Sequence, residues 1–294
     1  MREHGLLEKR YTTLLVITIG CIAFIVYTKP STPTQDAYPS NTTRFALVSL
    51  LTVEGPRAWW SQQKYIASAE KLAKSFRKQS HMDMVLIVVD EYGIFRRRDE
   101  ARLRKSGWSV HRLQQGIVPR YEGWNRYYSE KLFSKLWIWR LTMYEQILYT
   151  DLDVLFMLSP EPLFRIHLPV QNPAMVPDTT RKHYYNAGVI LLRPSENEYQ
   201  RLISSMNANT HGSEFTEQDF LNVFYHGRIV QLDPRFNVQV CNKEGCLNDE
   251  TAGAFNEGRT AILHFIGDSK PWNMQNCVKQ KIVQACQLWK HYSI

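Results

Sequence analysis

Asp151 and Asp153 stand two residues apart directly behind the apolar run 146–150, and His264 sits far downstream in a second apolar run, 261–265, followed by Gly267 and Lys270. If the first run is a short buried strand, carboxylates at i and i+2 leave its C-terminal end toward one side. That edge is where ligands bind in open α/β sheets. Two hard carboxylate oxygens and one imidazole, with positions left for phosphate oxygens, suit an octahedral divalent ion such as Mn²⁺ better than a closed tetrahedral zinc. An ion held in this way stabilises a departing nucleoside diphosphate.

The acidic pair carries little weight alone. With 11 Asp among 294 residues, an Asp-x-Asp tripeptide arises by chance roughly 0.4 times in such a chain, and its default reading is a loop whose Asp side chains cap a turn. His264 in an apolar strand is by default a satisfied core histidine. Lys135 on a largely apolar helix reads as a snorkelling surface lysine, and Asn186 as a turn residue. The surrounding elements and their order shift this balance.

With 44% hydrophobic and 12% aromatic residues, the chain can bury one large core and form a single catalytic domain over 44–294. The run 44–52 is β-prone, and 56–79 then carries Trp60, Ile66, Ala69, Leu72, Ala73 and Phe76 at helical spacing. A strand at 84–89, a helix at 95–105 and a strand at 108–113 follow, then a long helix over 129–144 that leads into the strand ending at Asp151. Further strands are expected at 187–192 and 261–265, and helices at 195–205, 216–224 and 276–292. This alternation predicts a Rossmann-like, mostly parallel sheet flanked by helices. No Gly-x-Gly-x-x-Gly or Gly-x4-Gly-Lys-Ser/Thr loop is present, so a bound nucleotide's phosphates must be held by metal and basic side chains.

Ahead of the domain, residues 11–27 carry no charge and are preceded by Lys9 and Arg10. This predicts an N-terminal transmembrane helix serving as an uncleaved signal-anchor, since Tyr27-Thr28-Lys29-Pro30 is a poor cleavage site. Basic residues on its N-terminal flank place a tail of residues 1–10 in the cytoplasm and the domain in the lumen, a single-pass type II arrangement. The modest length of the span suits Golgi or ER membranes. Residues 28–43, rich in Pro, Ser and Thr and holding the sequon Asn41-Thr42-Thr43, read as a stem. Cys241, Cys246, Cys277 and Cys286 read as two disulfides in that oxidising setting, with three pairings open. The net charge of +8 and the cluster Arg96-Arg97-Arg98, Arg102, Arg104 and Lys105 alternate with acids on a helix, which indicates a solvated face and no nucleic-acid partner.

Taken in order, five motifs from Phe45 to Trp272 resemble the family 8 retaining glycosyltransferases, the group of glycogenin and the galactinol synthases: Leu47 to Thr52, Arg126 with Lys135, Asp151-Leu152-Asp153, Asn186-Ala187-Gly188-Val189 with Glu217-Gln218-Asp219, and His264 to Trp272. The resemblance implies a GT-A type domain, a UDP-sugar donor and Mn²⁺ or another divalent cation. It further implies metal ligation by Asp151, Asp153 and His264. Donor contacts fall to Leu50, Thr52, Arg126, Lys135, Asp151, Leu152, Asp153, Asn186, Gly267 and Lys270, and catalytic roles to Glu217, Gln218 and Lys135. The acceptor is expected to be a glycan or glycoprotein, and a homodimer is one option for the assembly. Two other functions stay open: a nucleotide-sugar hydrolase or binder on the same fold, and a divalent-ion-dependent carbohydrate-binding protein built as an antiparallel β-sandwich.

Overall fold

The computed structural model describes residues 13–19, 22–28, 44–53, 55, 59–119, 130–208, 216–248 and 259–292. It divides into two compact units, Met1–Thr42 and Thr43–Ile294. In the first unit, strands β1 (Thr13–Ile19) and β2 (Ile22–Thr28) pair antiparallel where a membrane helix was expected. Most of their residues are Thr, Val or Ile, whose branched Cβ atoms lose rotamer freedom on a helix and fit a pleated ribbon. Among the described residues no helix is long and apolar enough to cross a membrane.

The second unit is built on a seven-stranded sheet. Strands β3 (Phe45–Thr52), β4 (Asp83–Val89), β5 (Ser109–Leu113) and β6 (Gln146–Thr150) are mutually parallel in the order β6-β3-β4-β5. On the far side of β6 lie β9 (Tyr185–Leu192), antiparallel to it, then β8 (Ala174–Pro177), then β10 (Val230–Gln231). The mostly parallel sheet matches the expectation and is not a β-sandwich.

Strand residues alternate between two core layers, as the pleat requires. Leu47, Leu51, Leu86, Val88 and Leu148 pack with Ile66, Leu72 and Phe76 of α1 (Trp59–Arg77) and Leu103 of α2 (Arg97–Lys105). Ala46, Val48, Val85, Ile87, Ile147 and Tyr149 face the other way. There they meet Phe133 and Leu136 of a 3₁₀ helix (Glu130–Arg140), Leu202 of α3 (Glu196–Ala208) and Phe220 of α4 (Glu217–Phe224). The 3₁₀ helix stops at Arg140 rather than 144, because residues 141–145 turn the chain back into β6.

A second, three-stranded sheet joins β7 (Val154–Phe156), β12 (Ile262–Phe265) and β11 (Val238–Val240) in the order β11-β12-β7. It is covered by α5 (Met274–Lys279) and α6 (Val283–His291), which replace the single expected helix over 276–292. Disulfides link Cys241 to Cys246 and Cys277 to Cys286. Nine residues along a straight helix would separate Cys277 and Cys286 by about 13.5 Å, twice the reach of a disulfide. The chain therefore breaks between them, with Lys281 in the left-handed region at φ 53°.

Candidate active site

The site forms where the two sheets meet. β6 ends at Thr150 and β7 begins at Val154, so the acidic pair occupies the step from one sheet to the other. β12 pairs antiparallel with β7, with His264 opposite Val154, and the amide of Phe265 donates to the carbonyl of Asp153 at 3.0 Å. That backbone register brings a histidine far along the sequence onto the acids. On the other side, Asp151 N donates to Gly188 O of β9 at 2.8 Å.

Ligand atoms of Asp151, Asp153 and His264 all lie within 4.8 Å of one another. His264 Nε2 is 3.4 Å from Asp153 Oδ1 and 3.9 Å from an Asp151 oxygen. Asp153 Oδ1 is buried and has no hydrogen-bond partner. A buried carboxylate oxygen left bare is costly, and a cation between it and the imidazole satisfies it. The donor set, two carboxylates and one nitrogen, fits a manganese-like ion.

Two ammonium groups balance the acids. Lys270 donates to the second Asp153 oxygen and, at 2.9 Å, to Phe265 O. Burial alone would raise the Asp153 carboxyl, but Lys270 and His264 outweigh it and hold it below the ordinary carboxylate range. Burial would likewise lower the Lys270 ammonium, and Asp153 raises it instead. By linkage, the Asp153 contribution to stability is present above its unfolded pKa of about 3.9 and is lost as pH falls through the lower folded value. The Lys270 contribution holds below about 10.4 and is lost as pH rises further. A Lys270→Met variant is therefore less stable than the parent across neutral pH, and the gap begins to narrow as pH falls below about 4; thermal melts from pH 3 to 8 check this, and a pH-independent gap contradicts it.

Lys135 is 1% exposed. Its ammonium donates to Ala187 O at 2.9 Å and Glu217 Oε1 at 3.0 Å, and lies 3.3 Å from Asp151 Oδ1. These three contacts account for its three donors, so in this structure Lys135 neutralises the site's own carboxylates. Burial would lower its pKa, but Asp151 and Glu217 raise it. Tyr149 OH also donates to Asp151 Oδ1 at 2.7 Å, and burial, then Asp151, keep that phenol protonated.

Around Asn186 runs an amide network that sequence reasoning found only in part. Gln218 is fixed at both ends, accepting from Ala187 N at 2.9 Å and donating to Asp178 Oδ2 at 3.0 Å. Asn186 donates to the same oxygen at 3.3 Å and accepts from Gly188 N at 3.0 Å. Glu217 and Gln218 open α4, whose N-terminus is held by a capping box between Thr216 and Asp219, and Arg181 ties Asp219 to the loop that follows Asp178. Asp178, Tyr149 and Asn237 belong to no recognised motif. Their signal was weaker: polar residues at strand ends, and at Asn237 and Gln239 a period-two alternation with Val238 and Val240.

The remaining expected contacts are spread around this edge. Val48 pairs with Tyr149, so Leu50 and Thr52 continue β3 past the end of β6 at the level of the acids. The side chain of Leu152 is in the core layer beside α1, while Gly267 adopts the left-handed conformation at φ 55° in the turn that leads to Lys270. Arg126 lies outside the described residues.

Gly188 is required sterically. A Cβ there would sit 2.1 Å from His264 Cε1, closer than any real contact, and the ring is buried and hydrogen-bonded. Gly188→Ala is expected to displace His264 and to cost about 1–3 kcal/mol of stability by overpacking. Mn²⁺ affinity falls with it. Calorimetric titration beside a thermal melt checks both; unchanged metal affinity would contradict the assignment.

Residues 61–276 match the model of glycosyl transferase family 8. The chain is 27% identical over 168 residues to a glycogenin of Komagataella phaffii, covering 51% of this chain and 40% of the relative. It is 27% identical over 148 residues to UDP-glucuronate:xylan alpha-glucuronosyltransferase 1 of Arabidopsis thaliana, covering 50% of this chain and 21% of that protein. It thus spans less than half the length of these curated relatives. Among solved structures, the galactosyltransferase LgtC with donor and acceptor sugar analogs superposes with a TM-score of 0.60 at 17% identity, covering 84% of this chain and 95% of that one. That likeness is one of fold, a GT-A-like α/β domain.

Proposed function

The chain belongs to glycosyl transferase family 8, and from that membership we propose that it is an enzyme of the EC 2.4 class, transferring a sugar from a UDP-sugar to a hydroxyl acceptor, a glycan or glycoprotein, with retention of anomeric configuration. The single observation that carries the reading is the convergence of Asp151, Asp153 and His264, with the bare Asp153 oxygen between them.

In this reading Asp151, Asp153 and His264 hold Mn²⁺ or a similar ion, which when bound supplies Lewis-acid stabilisation to the departing diphosphate. Lys270, on its turn beside Gly267, lends a second positive charge to the same oxygens. Asp178, Asn186 and Gln218 form a hydrogen-bonded edge suited to sugar hydroxyls. Glu217, fixed by Lys135, is assigned in this reading to steady positive charge on the anomeric carbon. We favour front-face attack, in which the leaving phosphate accepts the proton of the incoming hydroxyl, over a covalent adduct on Glu217. Trapping a glycosyl adduct on Glu217 would reverse that preference.

The test is a panel of UDP-sugars with Mn²⁺, scoring UDP release with and without candidate acceptors. Release that depends on acceptor and is abolished by a chelator is the expected outcome. Acceptor-independent release favours a hydrolase, and no release with any donor overturns the proposal.

The uncharged run 11–27 supports a further reading, attachment to a Golgi or ER membrane with the catalytic domain lumenal. A two-stranded ribbon has edge amides that hydrocarbon cannot satisfy, so spanning requires the helical form of the same residues. Resistance to carbonate extraction and an endoglycosidase-sensitive glycan at Asn41 are expected; a chain released by carbonate and unglycosylated contradicts it.

A further inference from the structure

Which nitrogen of His264 carries its proton can be read from a chain of partners that starts at the backbone. Gly188 N can only donate, so the Asn186 atom 3.0 Å away is its oxygen. The Asn237 atom 3.0 Å from that same oxygen must then be a nitrogen. Asn237 consequently turns its oxygen to His264 Nδ1, at 2.9 Å. An amide oxygen can only accept, so Nδ1 carries a proton, and Nε2 is the nitrogen left to offer its lone pair to an ion. Nε2 is the nitrogen 3.4 Å from the unpartnered Asp153 oxygen. Asn237 is 2% exposed and His264 3%, so water does not offer the ring a substitute acceptor at Nδ1.

We propose that Asn237 is the positioning residue of the metal centre: its carboxamide, oriented by Asn186, fixes His264 in the tautomer whose free Nε2 faces the ion. The inference rests on the reading that Asp151, Asp153 and His264 bind a divalent cation, and it adds what makes the imidazole ready to do so. A partner on the second ring nitrogen orients a ligating histidine and raises its basicity, and its loss costs about 10–100-fold in metal affinity. Asn186 joins this chain to Asp178, so the same two carboxamides tie the metal ligand to the edge proposed for the sugar.

The test uses the full-length chain with ¹⁵N-labelled histidine, free of metal, the His264 resonances being assigned by their loss in His264→Ala. The neutral ring of the parent is expected to be the tautomer with a protonated Nδ1 and an unprotonated Nε2. Asn237→Leu, of similar volume but without an acceptor, is expected to mix the tautomers and to weaken Mn²⁺ binding by about 10–100-fold, with circular dichroism unchanged. Asn237→Asp keeps an acceptor at Nδ1 and is expected to retain the parent tautomer and an Mn²⁺ affinity within a few-fold. A folded Asn237→Leu with the parent tautomer and affinity overturns the proposal. Should Asn237→Leu not fold, Asn237→Asp decides: retention of both properties supports the proposal and loss of either overturns it. If His264→Ala binds Mn²⁺ as the parent does, the metal reading fails instead, and the metal-free tautomer still decides the role of Asn237.

Discussion

Asp153→Asn is expected to lower turnover at saturating Mn²⁺ and donor by at least about a hundredfold, the equivalent of about 3 kcal/mol of lost electrostatic stabilisation. The substitution keeps the side chain's shape and removes its charge. Asp153 is the buried member of the acidic pair, its backbone is fixed by Phe265 N, and one of its oxygens faces His264 without a hydrogen bond. An amide in its place can offer a single weaker oxygen to the ion, and Lys270 loses its counter-charge. The variant should fold, because the β7–β12 register does not depend on the carboxylate. Steady-state UDP release beside a thermal melt checks this. A folded variant turning over at the parent rate with metal present excludes Asp153 as a ligand.

Lys135→Met has the largest expected effect on stability, a loss of about 3–5 kcal/mol, because removing one partner of a buried ion pair strands the others. In this case Glu217 and Asp151 are stranded together, and Ala187 O loses a donor. For a domain of this size the melting temperature should fall by roughly 10 °C. Since the folded pKa of Lys135 is raised, its contribution is fully present below its unfolded value of about 10.4 and is lost only as pH climbs through the folded one. The deficit should therefore be constant from pH 6 to pH 9. Denaturant titration in chelator-containing buffer measures it without contribution from bound metal. A deficit below about 1 kcal/mol would mean that Lys135 is bound no more tightly than a surface lysine.

Much of this centre could be read from the residues alone. The apolar run before Asp151, the i, i+2 acids and the Gly-x-x-Lys-Pro-Trp sequence after His264 each specify local geometry, and the first four parallel strands followed from β-α alternation. What could not be read was set by long-range pairing. Whether His264 meets Asp153 depends on the β12–β7 register, and no local pattern encodes a register between short strands so far apart. The short strands β7, β8, β10 and β11 could not be read because an alternation over two to four residues is too brief to stand out from chance. Asn237 and Asp178 escaped because a structural amide or carboxylate has meaning only through partners from other elements. At the N-terminus, uncharged length pointed to a helix while the density of Thr, Val and Ile favoured the strands that form. At the C-terminus, helical periodicity was unbroken in sequence, and the link between Cys277 and Cys286 required the break at Lys281.

The joint grip of one ion by the acids and the distant imidazole is tested most directly by pulsed electron paramagnetic resonance of Mn²⁺ bound to the ¹⁵N-histidine-labelled chain. The arrangement predicts hyperfine coupling to a single imidazole nitrogen, present in the parent and absent in His264→Ala. Bound Mn²⁺ that shows no histidine coupling, or coupling that survives in His264→Ala, would contradict it.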